Sequence, residues 1–222
     1  MEINKVHCFF EQSGTFKNEF EKLGITAFDY DIEDNFKETD FFYNLLLEIN
    51  SAKNGKSTLF DDISKNDLII AFFPCTYFST QSKMESRADS PIYRNLSKEW
   101  KIEKSIENNR NRFYFYETLC NLIRVCWYKQ FRLIIENPWH DNFLNNYLPK
   151  VENDIVLIRN RNKFGDYFRK PTAFRFYNCF PEFHLLQENK IYECKTVESR
   201  RYFSKSEISS EFANFFITNF IL

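Results

Sequence analysis

The feature that most constrains the fold is a set of short, unbroken apolar runs separated by amphipathic stretches. Strand-like runs lie at residues 5–10, 26–31, 67–73, 131–136, 154–159 and 172–178. A strand that is apolar along its whole length is typical of a sheet covered on both faces. Helical patterns lie between and after these runs, at residues 15–23, 40–50, 112–128 and 208–220. Because strands and helices alternate, we expect an α/β fold with a mostly parallel sheet and helices on both faces.

Length and composition narrow the class of protein. The 222 residues, of which 43% are hydrophobic, fit one large domain or one domain with a small appendage. Thirty basic and 31 acidic residues leave a net charge of −1, which argues against a simple basic coat for nucleic acid but permits a local basic groove. The six cysteines include no C-x-x-C pair and no zinc-type spacing with His, so we predict no metal site. Without a leader segment or a run of about 18 apolar residues, a soluble cytoplasmic protein is expected.

Two stretches carry no clear pattern. Residues 79–111 are polar and charged, and this length suggests a mobile flap over a site. Residues 179–205 are irregular as well. With only four glycines in the chain, a Gly-rich phosphate cradle is excluded.

Two polar residues at predicted strand ends are candidates for chemistry. Cys75 follows the apolar run 67–73 and is preceded by Pro74, and Glu136 ends the run 131–136. In open α/β sheets the carboxyl ends of the strands face the ligand crevice. The plain alternatives are a buried thiol that acts as a small hydrophobe and a carboxylate held in a structural salt bridge.

The order of several short motifs resembles the cytosine-5 DNA methyltransferase family, in the compact form common in phages and mobile elements. The motifs are FEQSGTF (10–16), YDIEDNF (30–36), FDDI (60–63), FPC (73–75), ENP (136–138), RNR (159–161) and SEISSEFANFF (206–216). The resemblance covers about residues 5–220. It implies a Rossmann-like, S-adenosylmethionine-dependent methyltransferase fold whose closing helix packs beside the cofactor turn.

The resemblance also implies a cofactor site and a set of reacting residues. S-adenosylmethionine would lie on the first turn, with Asp31, or less favourably Asp29, on the ribose hydroxyls and Asp62 near the adenine. The full implied set for the cofactor is Phe10, Gln12, Ser13, Gly14, Thr15, Asp29, Asp31, Asp62 and Pro74.

Catalysis in such a site would start with a thiolate. Cys75 would add to carbon 6 of cytosine, which turns a poorly nucleophilic ring into an enamine. Glu136 would hydrogen-bond the ring nitrogen and the exocyclic amine, and Arg159 or Arg161 would contact the base carbonyl or a phosphate. Because the thiolate approaches the ring face, the base must leave the stack.

The chain departs from the family pattern at four places. Gln12 stands where the first motif has its first glycine, so its side chain would crowd the methionine part of the cofactor or force a positive φ. Phe73 replaces a proline, Leu157 replaces a glutamine, and Ser209-Ser210 occupy a place that is often rich in proline.

Recognition of DNA would fall to the second half of the chain. We assign residues 1–178 and 206–222 to the catalytic domain and 179–205 to a reduced target-recognition segment. Basic residues in and near this region would contact the phosphates of double-stranded DNA: Lys163, Arg169, Lys170, Arg200 and Arg201. The alternative is that this basic strip is a solvated loop face.

Three other functions stay open at this point. ENPW (136–139) is similar to the motif of amino-methyltransferases, in which Asn137, Pro138 and Trp139 would hold an exocyclic amine and stack on a flipped base. A catalytically silent relative that binds nucleic acid or a protein is the second. A cysteine hydrolase is the third, with His7, His140 or His184 as the base.

Overall fold

The computed structural model describes residues 2–78, 84, 86–139, 142–149, 151, 153–183 and 207–222. Seven strands form one sheet in the order β3-β2-β1-β4-β5-β7-β6. They are β1 (Val6–Phe9), β2 (Ala27–Asp31), β3 (Phe41–Phe42), β4 (Leu68–Ala71), β5 (Arg132–Pro138), β6 (Asp154–Ile158) and β7 (Thr172–Tyr177). Only β7 runs against its neighbours β5 and β6 among these strands. The predicted fold class, a Rossmann-like α/β fold with a mostly parallel sheet, is confirmed.

Helices accompany the sheet, and five α-helices have both ends in the described part of the chain. They are α1 (Thr15–Lys22), α2 (Leu45–Lys53), α3 (Lys98–Lys129), α4 (Asn142–Tyr147) and α5 (Ser210–Phe220). None of them, within the residues described, is long and apolar enough to cross a membrane.

The strand register aligns the carboxyl ends of four parallel strands. Phe9 of β1 lies beside Tyr30 of β2 on one side and Ala71 of β4 on the other. Ala71 in turn lies beside Ile135 of β5. Side chains that follow these four residues therefore meet at one edge of the sheet.

Both faces of the sheet are buried, as the apolar runs predict. One face packs against α2 and α3, and the other against α1 and α5. Phenylalanine fills much of this core, and the rings of Phe174 on β7 and Phe216 on α5 are stacked with centroids 3.8 Å apart. Helix α5 also packs against α1, the helix that follows the turn after β1.

Two predicted segments differ from the structure where it describes them, and residues 79–83 and 85 of the predicted flap lie outside the described residues. Residues 40–50 were expected to be one helix, but Phe41–Phe42 form the edge strand β3 and α2 begins at Leu45, after an Asn44 side chain that accepts from Leu47 N at 3.2 Å. Within 79–111, helix α3 begins at Lys98, and its Ser97 cap accepts from Trp100 N at 3.1 Å. The first turns of α3 are mostly exposed, so they show no apolar stripe from which a helix could be predicted.

Candidate active site

A cavity of about 500 Å³ lies at the edge where the parallel strands end. Its lining comes from the turn after β1, the loop after β2, the segment after β4, the end of β5 and two segments from the second half of the chain. The lining residues are Phe10, Glu11, Gln12, Ser13, Asp31, Asn35, Phe36, Phe72, Phe73, Pro74, Cys75, Thr76, Glu136, Lys170, Glu207 and Ile208.

Cys75 is half-buried in this lining and sits in a fixed turn. The turn begins where Phe72 N donates to Phe9 O at 2.9 Å, and it closes where Phe78 N donates to Cys75 O at 2.9 Å. Arg112 on α3 secures the same turn from outside, since its Nε donates to Tyr77 O at 2.8 Å. The thiol thus combines access to the cavity with a backbone held on both sides.

Glu136 reaches the same cavity from β5. Its side chain is buried, and within the described residues its Oε1 atom accepts no hydrogen bond. The guanidinium of Arg161 lies beside it, with Nη1 3.8 Å from Oε1. A buried carboxylate oxygen without a hydrogen bond is costly, and the neighbouring Arg161 charge offsets part of that cost.

Arg161 is fully buried behind Glu136 and does not itself line the cavity. Its Nε is paired with the carboxylate of Asp166, and its Nη2 donates to Glu207 O at 3.4 Å. Asp166 also accepts from Ser209 N at 3.2 Å, just before α5. Burial raises the pKa of the Asp166 carboxyl, while the neighbouring Arg161 charge opposes this change. Asp166 was not among the predicted residues, although a buried arginine is rarely found without a paired group.

The turn after β1 has unusual backbone geometry at two positions. Phe10 has φ 60° and Gly14 has φ 61°, whereas Gln12 is not among the residues with positive φ. The expectation that Gln12, which stands in place of a glycine, would be forced into a positive φ is therefore wrong. Gly14 precedes α1, and the helix start is capped by Glu11, whose carboxylate accepts from Phe16 N at 2.8 Å and Lys17 N at 3.4 Å.

The sequence analysis gave Glu11 no role, although an acid shortly before a predicted helix is a signal for capping. Its burial raises the pKa of the carboxyl to about 7.

The two acids on β2 differ in their environments. Asp31 is buried and lines the cavity, and its Oδ1 accepts from Glu33 N at 3.0 Å. Burial raises the pKa of Asp31. Asp29 lies outside the lining, and its carboxylate pairs with Lys17 Nζ at 3.1 Å and accepts from Asp40 N at 2.8 Å. Of the two, only Asp31 is available to a ligand in this cavity.

The other predicted residues divide into three groups. Ser13, Pro74 and Lys170 line the cavity, and Ser13 Oγ is hydrogen-bonded to Thr15 Oγ1 at 2.8 Å. The second group lies outside the cavity lining and consists of Thr15 and the exposed Asp62, Arg159, Lys163 and Arg169. Arg200 and Arg201 lie outside the described residues.

The charge of the lining is mainly negative. Glu11, Asp31, Glu136 and Glu207 contribute carboxyl groups, and Lys170 is the one cation among the lining residues that the structure describes. Such a surface favours a ligand that carries a positive charge. No group of three or more His, Cys, Asp or Glu side chains in the described ranges is arranged to hold a metal ion.

Comparisons with known proteins add little to this geometry. No protein-family model matches the chain, and no curated protein does. Among solved structures, the chain is similar to a methyltransferase from Entamoeba histolytica, with a TM-score of 0.43 and 13% sequence identity. That alignment covers 86% of this chain and 58% of the other, so this chain spans less than two thirds of its neighbour's length.

The described residues of the alternative functions lie outside this cavity lining. Asn137 is fully buried and outside the cavity lining, although its amide makes no hydrogen bond to a described residue. Because side chains alternate along a strand, Asn137 lies on the opposite face of β5 from Glu136. His7 also lies outside the lining, with Nδ1 2.9 Å from the Tyr30 hydroxyl and Nε2 3.4 Å from Asp67. His140 and His184 lie outside the described residues.

Proposed function

We propose that this chain is an S-adenosylmethionine-dependent methyltransferase that acts on carbon 5 of cytosine in double-stranded DNA through a covalent adduct at Cys75. One observation carries the proposal: Cys75 and Glu136, from two different strand ends, line the same cavity as the turn after β1 and Asp31. A thiol, a carboxylate and a cofactor-sized space are what this reaction requires together.

The donor set of the cavity fits the cofactor. S-adenosylmethionine supplies a methyl group on a positively charged sulfur, and it also carries an ammonium group. The acidic lining suits these charges, and Asp31 offers a carboxylate for the ribose hydroxyls. Phe36 is half exposed beside Asp31 and presents a ring against which adenine could pack. Phe10 and Ser13 would complete the binding surface from the first turn.

Cys75 has the nucleophilic role in this mechanism. Its thiolate forms a bond to carbon 6 of the extruded cytosine, and the electron pair of the ring double bond moves to carbon 5. The cofactor would supply the methyl group from its sulfonium, which would leave as a neutral thioether. Loss of the carbon 5 proton to water then restores the double bond and expels the thiolate.

Glu136 stabilises the base during thiolate addition. Glu136 lines the cavity, and its carboxylate would accept a hydrogen bond from the exocyclic amine. Arg161 lies behind the carboxylate and is held by Asp166, so these two residues position Glu136 and do not touch the base. Lys170 is the lining cation that would contact the phosphate beside the target nucleotide.

A trapping experiment tests the proposal. The protein is incubated with labelled S-adenosylmethionine and duplex DNA that contains 5-fluorocytosine, in which the fluorine prevents the final elimination. We expect a stable protein–DNA adduct in the wild type and none in Cys75→Ala. Cys120→Ala is the matched control, because Cys120 is also a half-buried thiol but lies on α3 outside the cavity lining. It should form the adduct normally.

Other outcomes would point to other functions. Absence of an adduct in a wild type that binds the cofactor would refute the covalent mechanism. Methyl transfer that persists in Cys75→Ser would favour an amino-methyltransferase. Absence of any cofactor binding in calorimetry would favour a silent nucleic-acid-binding relative.

A further inference from the structure

The Gln12 side chain connects two walls of the cavity. Asn35 Nδ2 donates to Gln12 Oε1 at 2.8 Å and to Glu33 Oε2 at 2.9 Å. Gln12 Nε2 donates to the same Glu33 oxygen at 3.4 Å. Three side chains thus form a closed set of hydrogen bonds between the turn after β1 and the loop after β2.

This position carries a side chain without backbone strain. The residues of the turn with positive φ are Phe10 and Gly14, so Gln12 does not need the conformational freedom of glycine. Its amide hydrogen-bonds to residues 33 and 35, which defines where the side chain points.

The loop that Gln12 reaches has few other attachments. Its first residues are held where Glu33 N donates to Asp31 Oδ1 at 3.0 Å. Its far end is held by Thr39, whose hydroxyl donates to Glu33 O at 3.0 Å and whose amide donates to Asp34 Oδ1 at 3.1 Å. Asn35 and Phe36 lie between these points and line the cavity, and the bond to Gln12 fixes this middle part.

We propose that Gln12 is a positioning residue for the cofactor: it ties the 33–36 loop across the cavity and so keeps Asn35 and Phe36 against the nucleoside part of the ligand. The inference rests on the proposed function, since it assumes that the cavity binds S-adenosylmethionine. It assigns a function to the glutamine that stands in place of a glycine, and it reverses the expectation that this side chain crowds the ligand.

If Gln12 positions the loop, its removal weakens the affinity for the cofactor, and if Gln12 crowds the ligand, its removal strengthens that affinity. Calorimetry would measure the binding of S-adenosylmethionine and of 5′-methylthioadenosine, which lacks the amino-acid part, to the wild type, Gln12→Ala, Gln12→Gly, Asn35→Ala and the Gln12→Ala/Asn35→Ala double variant. Asn54→Ala is the matched control, because Asn54 is an exposed amide at the end of α2. Thermal unfolding without ligand would monitor the fold.

If Gln12 holds the loop in place, the Gln12 and Asn35 variants should bind both ligands about threefold to tenfold more weakly, as expected for the loss of one or two exposed hydrogen bonds. The loss of affinity in the double variant should be smaller than the sum of the two single losses, because both single variants remove the Asn35–Gln12 bond. Unfolding midpoints without ligand and the Asn54→Ala affinities should equal those of the wild type.

Three results would overturn the inference. Equal or tighter binding by Gln12→Ala and Gln12→Gly would mean that the side chain is idle or crowds the ligand. Weakening restricted to S-adenosylmethionine would place the effect on the amino-acid part. A folded wild type that binds neither ligand would refute the proposed function itself, and this inference with it.

Discussion

The buried carboxyl of Glu11 makes the stability of this protein depend on pH. It is enclosed at the start of α1, where two backbone N–H groups donate to it, and burial still raises its pKa from 4.5 to about 7. The folded protein therefore binds a proton more tightly at this site than the unfolded chain does. The stability that this group contributes is fully present below pH 4.5 and is lost as the pH rises through about 7.

The substitution Glu11→Gln removes the ionisation and keeps the size and one acceptor oxygen. A pKa raised from 4.5 to about 7 corresponds to about 3 kcal/mol of differential stability between acidic and basic pH. The free energy of unfolding of the variant minus that of the wild type should therefore rise by about 2 to 3 kcal/mol between about pH 4.5 and about pH 8. Any constant loss from weaker capping shifts both ends equally and cancels in this comparison.

Urea unfolding followed by circular dichroism at a series of pH values measures this difference. Taking the difference between variant and wild type isolates Glu11 from other buried groups such as His7, whose pKa is lowered chiefly by burial. Glu21→Gln, an exposed substitution on the same helix, is the control for the change of a carboxyl to an amide. A difference that stays constant across the pH range, or that falls as the pH rises, would refute this account of the Glu11 environment.

Three further predictions concern the second half of the chain. Asp166→Asn leaves a buried guanidinium without its carboxylate, so chemical denaturation should show a loss of about 3 kcal/mol or more, and adduct formation with 5-fluorocytosine DNA should slow. Gly165→Ala places a Cβ 2.8 Å from Glu211 Cβ at a φ of +98°, so the unfolding free energy of this variant should fall by about 2 kcal/mol or more. Gly24→Ala should lose less, because its φ is also positive, at +80°, but its Cβ meets nothing within 4 Å. Lys170→Gln should weaken DNA binding and reduce the slope of the logarithm of the DNA-binding constant against the logarithm of the salt concentration by about one unit. The affinity for the cofactor, measured by calorimetry, should be unchanged.

The sheet was predictable because its strands are short and apolar on both faces. The runs around β1, β4 and β5 are visible without any structure, and their order along the chain already indicates an α/β fold. The first turns of α3 were not predictable, since they lie beyond the core and bury no continuous stripe. Phe41–Phe42 look like part of a helix because a two-residue edge strand is too short to show alternation.

The candidate site was predictable where residues directly follow a strand. Cys75 and Glu136 were identified in this way, and the strand register brings both to one edge of the sheet. Contacts that depend on loop conformation were not predictable. No periodic pattern in the sequence indicates that Arg161 pairs with Asp166 or that Asn35 donates to Gln12. Only the folded loops bring these side chains together.

The last described segment of the chain has a bearing on how the protein is made. Glu207 and Ile208 line the cavity, and α5 then packs against α1, the first helix of the chain. During synthesis on the ribosome, a nascent chain that ends at β7 still lacks these two lining residues and the helix that covers the hydrophobic side of α1. The ligand pocket therefore lacks part of its lining until residues 207–220 have left the exit tunnel.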